Sequence, residues 1–302
     1  MNTKYDEIVK VENIGGAYDG NAFTEVIQLA DQEKKVPASK DGERIGLLLV
    51  DCQNDFINPN GALAVPGAVE DMERVTRFIY QNMDKLYRIY CTVDWHLYAQ
   101  IFSPNYWENE KGNHPDPNTN ITYEDVKNGI WKPTLGVNKA LTYLKEIESK
   151  GFTLTIWPYH CRAYFGGAAI ETETAKMIAF HSAYRDSEPV FFCKGMDPHT
   201  EMYGVIKGEY DENGFVNQDV LNVFEELQKI YLAGEAGSHC FIRSIQQIVE
   251  RFANRPDILK KMVVLEDCTS PIQGYEQYMQ DAFEELKQEY GIQFVTSTDV
   301  VL

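Results

Sequence analysis

Short apolar runs recur along the chain at positions 45–50, 86–93, 152–157, 190–193, 230–233, 262–265 and 292–295. Most are too short for helices and rich in β-branched or aromatic residues, which is the signature of buried strands. Between them, apolar residues fall at helical spacing over roughly 68–83, 136–149, 167–184, 218–228, 238–253 and 274–289. Strands alternating with helices predict βαβ units, and hence a parallel sheet covered on both faces. Two stretches break the rhythm. Positions 1–43 are mixed and polar and are expected to form an N-terminal arm, leaving 44–302 as a single domain. Positions 97–134 are rich in Asn, Pro and aromatics and read as an insertion, long enough to be either functional or poorly ordered.

Charge narrows the function. The chain has 302 residues, 28 of them basic and 46 acidic, for a net charge of −18. Nucleic acids and anionic membranes select basic patches, so neither is an expected partner. No apolar run approaches the ~20 residues of a membrane span, and the polar N-terminus carries no signal-peptide pattern. The six cysteines, at 52, 91, 161, 193, 240 and 268, lack metal-finger spacing. They suit reduced thiols in a cytoplasmic protein. A homo-oligomer acting on a small molecule is expected.

In open α/β sheets the active crevice lies at the carboxyl ends of the strands. Asp51 follows the first run, Asp94-Trp95-His96 the second, Pro158-Tyr159-His160-Cys161 the third, Lys194-Gly195 the fourth, and the loop to Cys240 the fifth. Strand ends thus bring a nucleophile, a carboxylate, an ammonium and a metal-capable cluster toward one edge. Cys240 falls near the first turn of a helix, where free N–H groups and the helix dipole favour a thiolate. Taken singly, each residue has an ordinary alternative: a buried structural cysteine, a capping Asp, a core His, a solvated Lys.

The ordered set resembles a known family. Val50-Asp51-Cys52-Gln53-Asn54-Asp55-Phe56, then Gly61-Ala62-Leu63 and Val65-Pro66-Gly67, look like the opening of the isochorismatase-like cysteine hydrolases, nicotinamidases in particular. So do Asp94-Trp95-His96, Trp157-Pro158-Tyr159-His160-Cys161, Lys194-Gly195, and Gly234-Glu235-Ala236-Gly237-Ser238-His239-Cys240. The resemblance spans about 45–300. It implies an α/β fold, a three-layer αβα sandwich on a mostly parallel six-stranded sheet. It implies Cys240 as nucleophile, Asp51 as base and Lys194 as third member of a triad. It also implies a cis peptide at Glu235–Ala236, with the N–H groups of Ala236 and Cys240 facing an oxyanion. Asp94, His96 and His160 match metal ligands; their donor types rank zinc first, with iron and manganese next. Phe56, Leu63, Trp95 and Trp157 match positions lining a small aromatic-amide pocket.

The implied activity is hydrolysis of a small carboxamide through a cysteine thioester. The alternatives are an N-carbamoyl or ureido amidohydrolase, or a binding protein that keeps the fold without turnover. The chain departs from nicotinamidases in lacking a histidine soon after His96, in the 64 positions between His96 and His160, and in carrying Glu235 and His239 before the cysteine. It therefore reads as a longer, divergent branch. Its insertion is expected near the site mouth, as a lid, a pocket wall or an oligomer contact. His114 is at most an extra ligand, and His181 and His199 are expected at the surface or as caps.

Overall fold

A computed structural model describes all 302 residues. Its centre is one sheet of six parallel strands: β1 (Ile45–Val50), β2 (Leu86–Asp94), β3 (Val190–Lys194), β4 (Lys229–Gly234), β5 (Met262–Leu265) and β6 (Gln293–Val295). Their spatial order is β6-β5-β4-β1-β2-β3, every pair parallel. The chain builds outward from β1 to β3, then returns to the other side of β1 for β4 to β6. Such a reversal opens a crevice beyond the carboxyl ends of the two strands that flank it, here β1 and β4.

All six residues of β1 are buried. Alternation assigns Leu47 and Leu49 to one apolar layer, Leu48 and Val50 to the other. The first layer is closed by α2 (Ala68–Gln81) and α4 (Thr172–Arg185), the second by α5 (Gln218–Glu226), α6 (Ile242–Arg251) and α7 (Glu276–Tyr290). α2 buries Ala68, Met72, Val75, Phe78 and Ile79, the stripe that helical periodicity marked. Each Met, Val, Ile or Phe side chain so withdrawn from water contributes about 1.5–3 kcal/mol.

The N-terminal segment packs against this scaffold. Ile8 and Val9, with Val26 and Ala30 of α1 (Ala22–Ala30), are buried in the first layer beside α4. Buried Arg185 of α4 pairs with Asp41 and donates to the Val36 carbonyl at 2.6 Å.

The run 152–157 is not a strand of the main sheet. Only Leu154–Thr155 is extended, antiparallel to Asn120–Ile121. The reason is competition for its backbone: Ile156 N–H donates to Thr119, Trp157 N–H to Phe102, and the Ile156 carbonyl accepts from Asn118. Leu154, Ile156 and Trp157 instead join Ile101, Phe102, Tyr106, Trp107 and residues of α3 (Val137–Ser149) in a third, smaller core. The insertion is thus folded over a core of its own. His181 is likewise not at the surface; it is buried in α4, its Nε2 2.9 Å from the Leu86 carbonyl oxygen. No helix is long and apolar enough to cross a membrane.

Candidate active site

Asp51 and the loop to Cys240 leave the sheet side by side, because Val50 pairs with Gly234 in the β1–β4 register. The strands approach closely here. Gly234 has φ +113°, and a Cβ on it would stand 2.1 Å from the Val50 carbonyl oxygen, so glycine alone fits. Asp51 itself has φ +48°. The Glu235–Ala236 peptide is cis, as the resemblance implied. Gly237–Phe241 then form a single π-helical turn, closed by Phe241 N–H on the Ala236 carbonyl at 3.1 Å, before α6 begins. Cys240 lies within this turn, just ahead of α6. On the other flank, β2 and β3 pair Asp94 with Lys194.

These registers converge on the Lys194 ammonium, which is wholly buried. Its Nζ lies 2.8 Å from Asp51 Oδ2 and 3.5 Å from Cys240 Sγ, donates to Asp94 Oδ1, and reaches the Met202 carbonyl at 3.3 Å. Thr92 donates to the other Asp51 oxygen. Burial works against the ammonium, but Asp51 and Asp94 hold its pKa well above the ordinary lysine value. Burial pushes the Asp51 carboxyl above the usual range, with Lys194 pulling back. Burial also pushes the Cys240 thiol well up, opposed by Lys194. Burial thus opposes the thiolate that the helix start favours, and the Lys194 ammonium supports it.

Asp94, His96 and His160 come together with ligand atoms within 4.8 Å of one another. Asp94 and His96 project to the same side of the departing chain, and His96 Nε2 is 3.4 Å from Asp94 Oδ2. His160 Nε2 is 3.9 Å from the same oxygen. His96 Nδ1 sits 3.0 Å from the Gly195 carbonyl oxygen and His160 Nδ1 2.7 Å from that of Pro158. A carbonyl can only accept, so both Nδ1 atoms carry the proton and both Nε2 atoms present lone pairs. Buried His96 Nε2 has no hydrogen-bond partner, a vacancy a cation would fill. Burial lowers the His160 pKa to about 3, keeping the ring neutral. Burial alone would raise Asp94, but the Lys194 ammonium holds its carboxyl well below the usual range. This set fits a divalent ion with open coordination positions. A second convergence of acids, Asp51, Asp94 and Cys240, already has the Lys194 ammonium at its centre.

A narrow cavity of about 20 Å³, room for about one water, opens onto the sulfur. Its walls are Phe56, Leu63, Trp157, Tyr203, Ala236, His239 and Ile272, with Asp94, His160 and Glu201 among its polar groups. Three of the expected wall residues, Phe56, Leu63 and Trp157, are there. Trp95 is not. Chain alternation turns it away from Asp94 and His96, and it packs half-buried against the first core layer. Glu201, Tyr203 and Ile272 escaped sequence reasoning, because they lie on aperiodic connections after β3 and β5. Glu201 is buried, accepts from Met202 N–H at 2.9 Å, and has its carboxyl pushed well up by burial and by Asp94.

No residue of 97–134 lines the cavity. The insertion acts from behind: Phe102 packs on both rings of the metal-capable pair, 4.8 Å from His96 and 5.9 Å from His160. Arg162 anchors it by donating to the Leu97 carbonyl and to Ser103 Oγ. His114 faces the Trp107 carbonyl and His199 the Tyr106 hydroxyl, neither within the ligand cluster.

Beneath the nucleophile loop, Glu235 is fully buried. Its Oε2 accepts from Ser270 N–H at 3.2 Å, and it lies beside the carboxyl of Asp71, which pairs with Arg74. Burial and Asp71 push the Glu235 pKa well up.

No protein-family model matches the chain. It is 24% identical over 245 residues to the nicotinamidase of Saccharomyces cerevisiae, across 80% of this chain and 94% of that protein. A nicotinamidase/pyrazinamidase of Acinetobacter baumanii superposes with a TM-score of 0.58 at 19% identity, covering 86% of this chain and 99% of that one. The pyrazinamidase of Pyrococcus horikoshii in complex with zinc superposes with a TM-score of 0.50 at 19% identity, covering 84% and 99%. The chain therefore has the fold of the nicotinamidases and is longer than these relatives.

Proposed function

We propose, for a chain with this fold, that it is a cysteine amidohydrolase releasing ammonia from a small, uncharged carboxamide of the kind nicotinamidases cleave. The observation that carries the reading is one buried ammonium, Lys194, bridging Asp51 Oδ2 at 2.8 Å and Cys240 Sγ at 3.5 Å, with Cys240 itself lining the cavity. Asp51 takes the thiol proton as sulfur attacks the carbonyl carbon, and Lys194 offsets the negative charge that moves between them. Charge developing on the carbonyl oxygen is met by the N–H groups of Ala236 and Cys240. Asp51 returns the proton to the amide nitrogen, the C–N bond breaks and ammonia leaves. Asp51 then deprotonates the water that hydrolyses the thioester, releasing the carboxylic acid and the thiol.

Asp94, His96 and His160 are the proposed holders of a divalent ion, zinc first, which when bound would supply a Lewis-acidic position at the cavity wall. The cavity lining includes two carboxyl groups and no lysine or arginine. That lining favours a neutral amide over N-carbamoyl substrates bearing a carboxylate.

Ammonia release from a panel of neutral and carboxylate-bearing amides tests the reading. Wild-type turnover of neutral amides and its loss in Cys240→Ala are expected. A Cys240→Ala protein as fast as wild type would exclude the thioester route.

A further inference from the structure

Arg162 gathers two loops at the molecular surface. Its guanidinium donates to the Leu97 carbonyl and, at 3.3 Å, to that of Tyr98, and it lies over the Tyr159 ring, 4.9 Å from the centroid. The Tyr98 carbonyl also accepts from Asn105 Nδ2 at 2.8 Å. Phe165 N–H closes a turn on the Arg162 carbonyl at 2.9 Å, and that turn presents the Tyr164 and Phe165 rings 5.3 Å apart. These polar atoms are satisfied within the protein, and the side chains are left in water. Tyr98 is 76% exposed, Phe165 67%, Tyr164 63%, Tyr159 46% and Leu97 45%. Single exposed apolar residues are ordinary, but a cluster marks a contact surface. With aromatic side chains of about 150–250 Å² each, this cluster leaves on the order of 500 Å² uncovered per chain.

The patch is also free of acids. Positions 95–107 and 156–170 contain no Asp or Glu, in a chain with 46 acidic residues among 302 and a net charge of −18. Such a charge makes two copies repel one another. At this patch they meet without opposing carboxylates.

We infer that this patch is the contact through which two copies of the chain pair about a two-fold axis. An isologous contact needs one surface that complements itself, and flat rings that pack on their symmetry mates provide it. Two patches together withdraw roughly 1,000 Å², the size at which a specific interface begins. Arg162 holds the two loops in place before the partner arrives, so little freedom is lost on pairing. Leu97 and Tyr98 open the insertion, which pairing gives a role apart from the cavity. The inference does not depend on the amidohydrolase reading.

Sedimentation equilibrium over about 1–100 μM tests it. The wild type should reach twice the mass of the single chain. Phe165→Glu and Tyr98→Glu each bring a carboxylate into the contact and should raise the dissociation constant about thirtyfold or more. Tyr164→Ser only trims an exposed ring, so it folds even where the charged variants do not, and should raise the constant about tenfold. Phe215→Glu, at an exposed ring outside the patch, should pair like the wild type. Screening relieves the repulsion between two acidic chains, so pairing should tighten as salt rises from about 0.05 to 0.5 M. A wild type that stays single at the highest concentration would overturn the inference. So would undiminished pairing in Tyr164→Ser and the charged variants, or equal loss in Phe215→Glu. Pairing that weakens as salt rises would also overturn it, because that marks a contact held by charges.

Discussion

Replacing Glu235 by glutamine should stabilise the protein, increasingly so as pH rises. Glu235 is fully buried against Asp71, and the two oxygens without a donor are Glu235 Oε1 and Asp71 Oδ2. One proton shared between the carboxyls satisfies both. Burial first, then Asp71, raises the folded-state pKa of Glu235. A group with a raised folded pKa contributes stability that is complete below its unfolded pKa and lost as pH climbs through the folded one. In the unfolded chain Glu235 ionises near pH 4.3, so above that the fold must hold a proton that the unfolded chain has released. The linkage slope for one site is about 1.4 kcal/mol per pH unit, or roughly 3–4 kcal/mol by pH 7 if the folded carboxyl is still protonated there. Glutamine keeps the shape, the acceptor for Ser270 N–H and a donor toward Asp71, and has no proton to lose. Urea unfolding of both proteins at pH 5, 6, 7 and 8, with matched m-values, reads the difference directly. The variant's advantage should grow with pH. Parallel curves, or a variant that is less stable at pH 8, would mean that Glu235 is ionised in the fold and that the shared-proton account is wrong.

Lys194→Met should abolish turnover and cost about 3–5 kcal/mol of stability, because it strands Asp51 and Asp94 as buried acids without a counter-charge; denaturant midpoints beside ammonia release would check both. Trp157→Phe removes the 2.9 Å hydrogen bond from Trp157 Nε1 to the Tyr203 hydroxyl and should raise KM about fivefold. Trp95→Phe should leave KM within about twofold, since a ring outside the cavity makes no ground-state contact; equal effects would contradict its placement. His96→Ala should lower bound zinc per chain, read by elemental analysis after incubation with excess zinc and desalting, while His114→Ala should not.

The strands and helices were legible because burial on two faces and on one face leave different periods in the chain, and α2 and β1 show each in its simple form. Asp51, Asp94 and Lys194 were legible too, since a residue at the end of an apolar run stands at a sheet edge whatever the sheet order, and Cys240 since it lies between such a run and the helix that follows. The run 152–157 misled because an apolar strand signal says nothing about which partner takes its backbone groups; the insertion took them, and His160 reaches the site from a loop. Trp95 differs in a related way: the resemblance placed it at the pocket wall, and chain alternation turned it toward the first core layer.

The sequence by itself determined the layered α/β architecture and the chemical groups available, because both follow from local periodicity and from residues adjacent to it. Only the tertiary structure decided the order of strands that makes Lys194 the hub of Asp51, Asp94 and Cys240, and the protonation states there. Glu201, Tyr203 and His239 became cavity walls in the same way. Distances between segments far apart in sequence, and the desolvation they impose on one another, exist only once the chain has closed on itself.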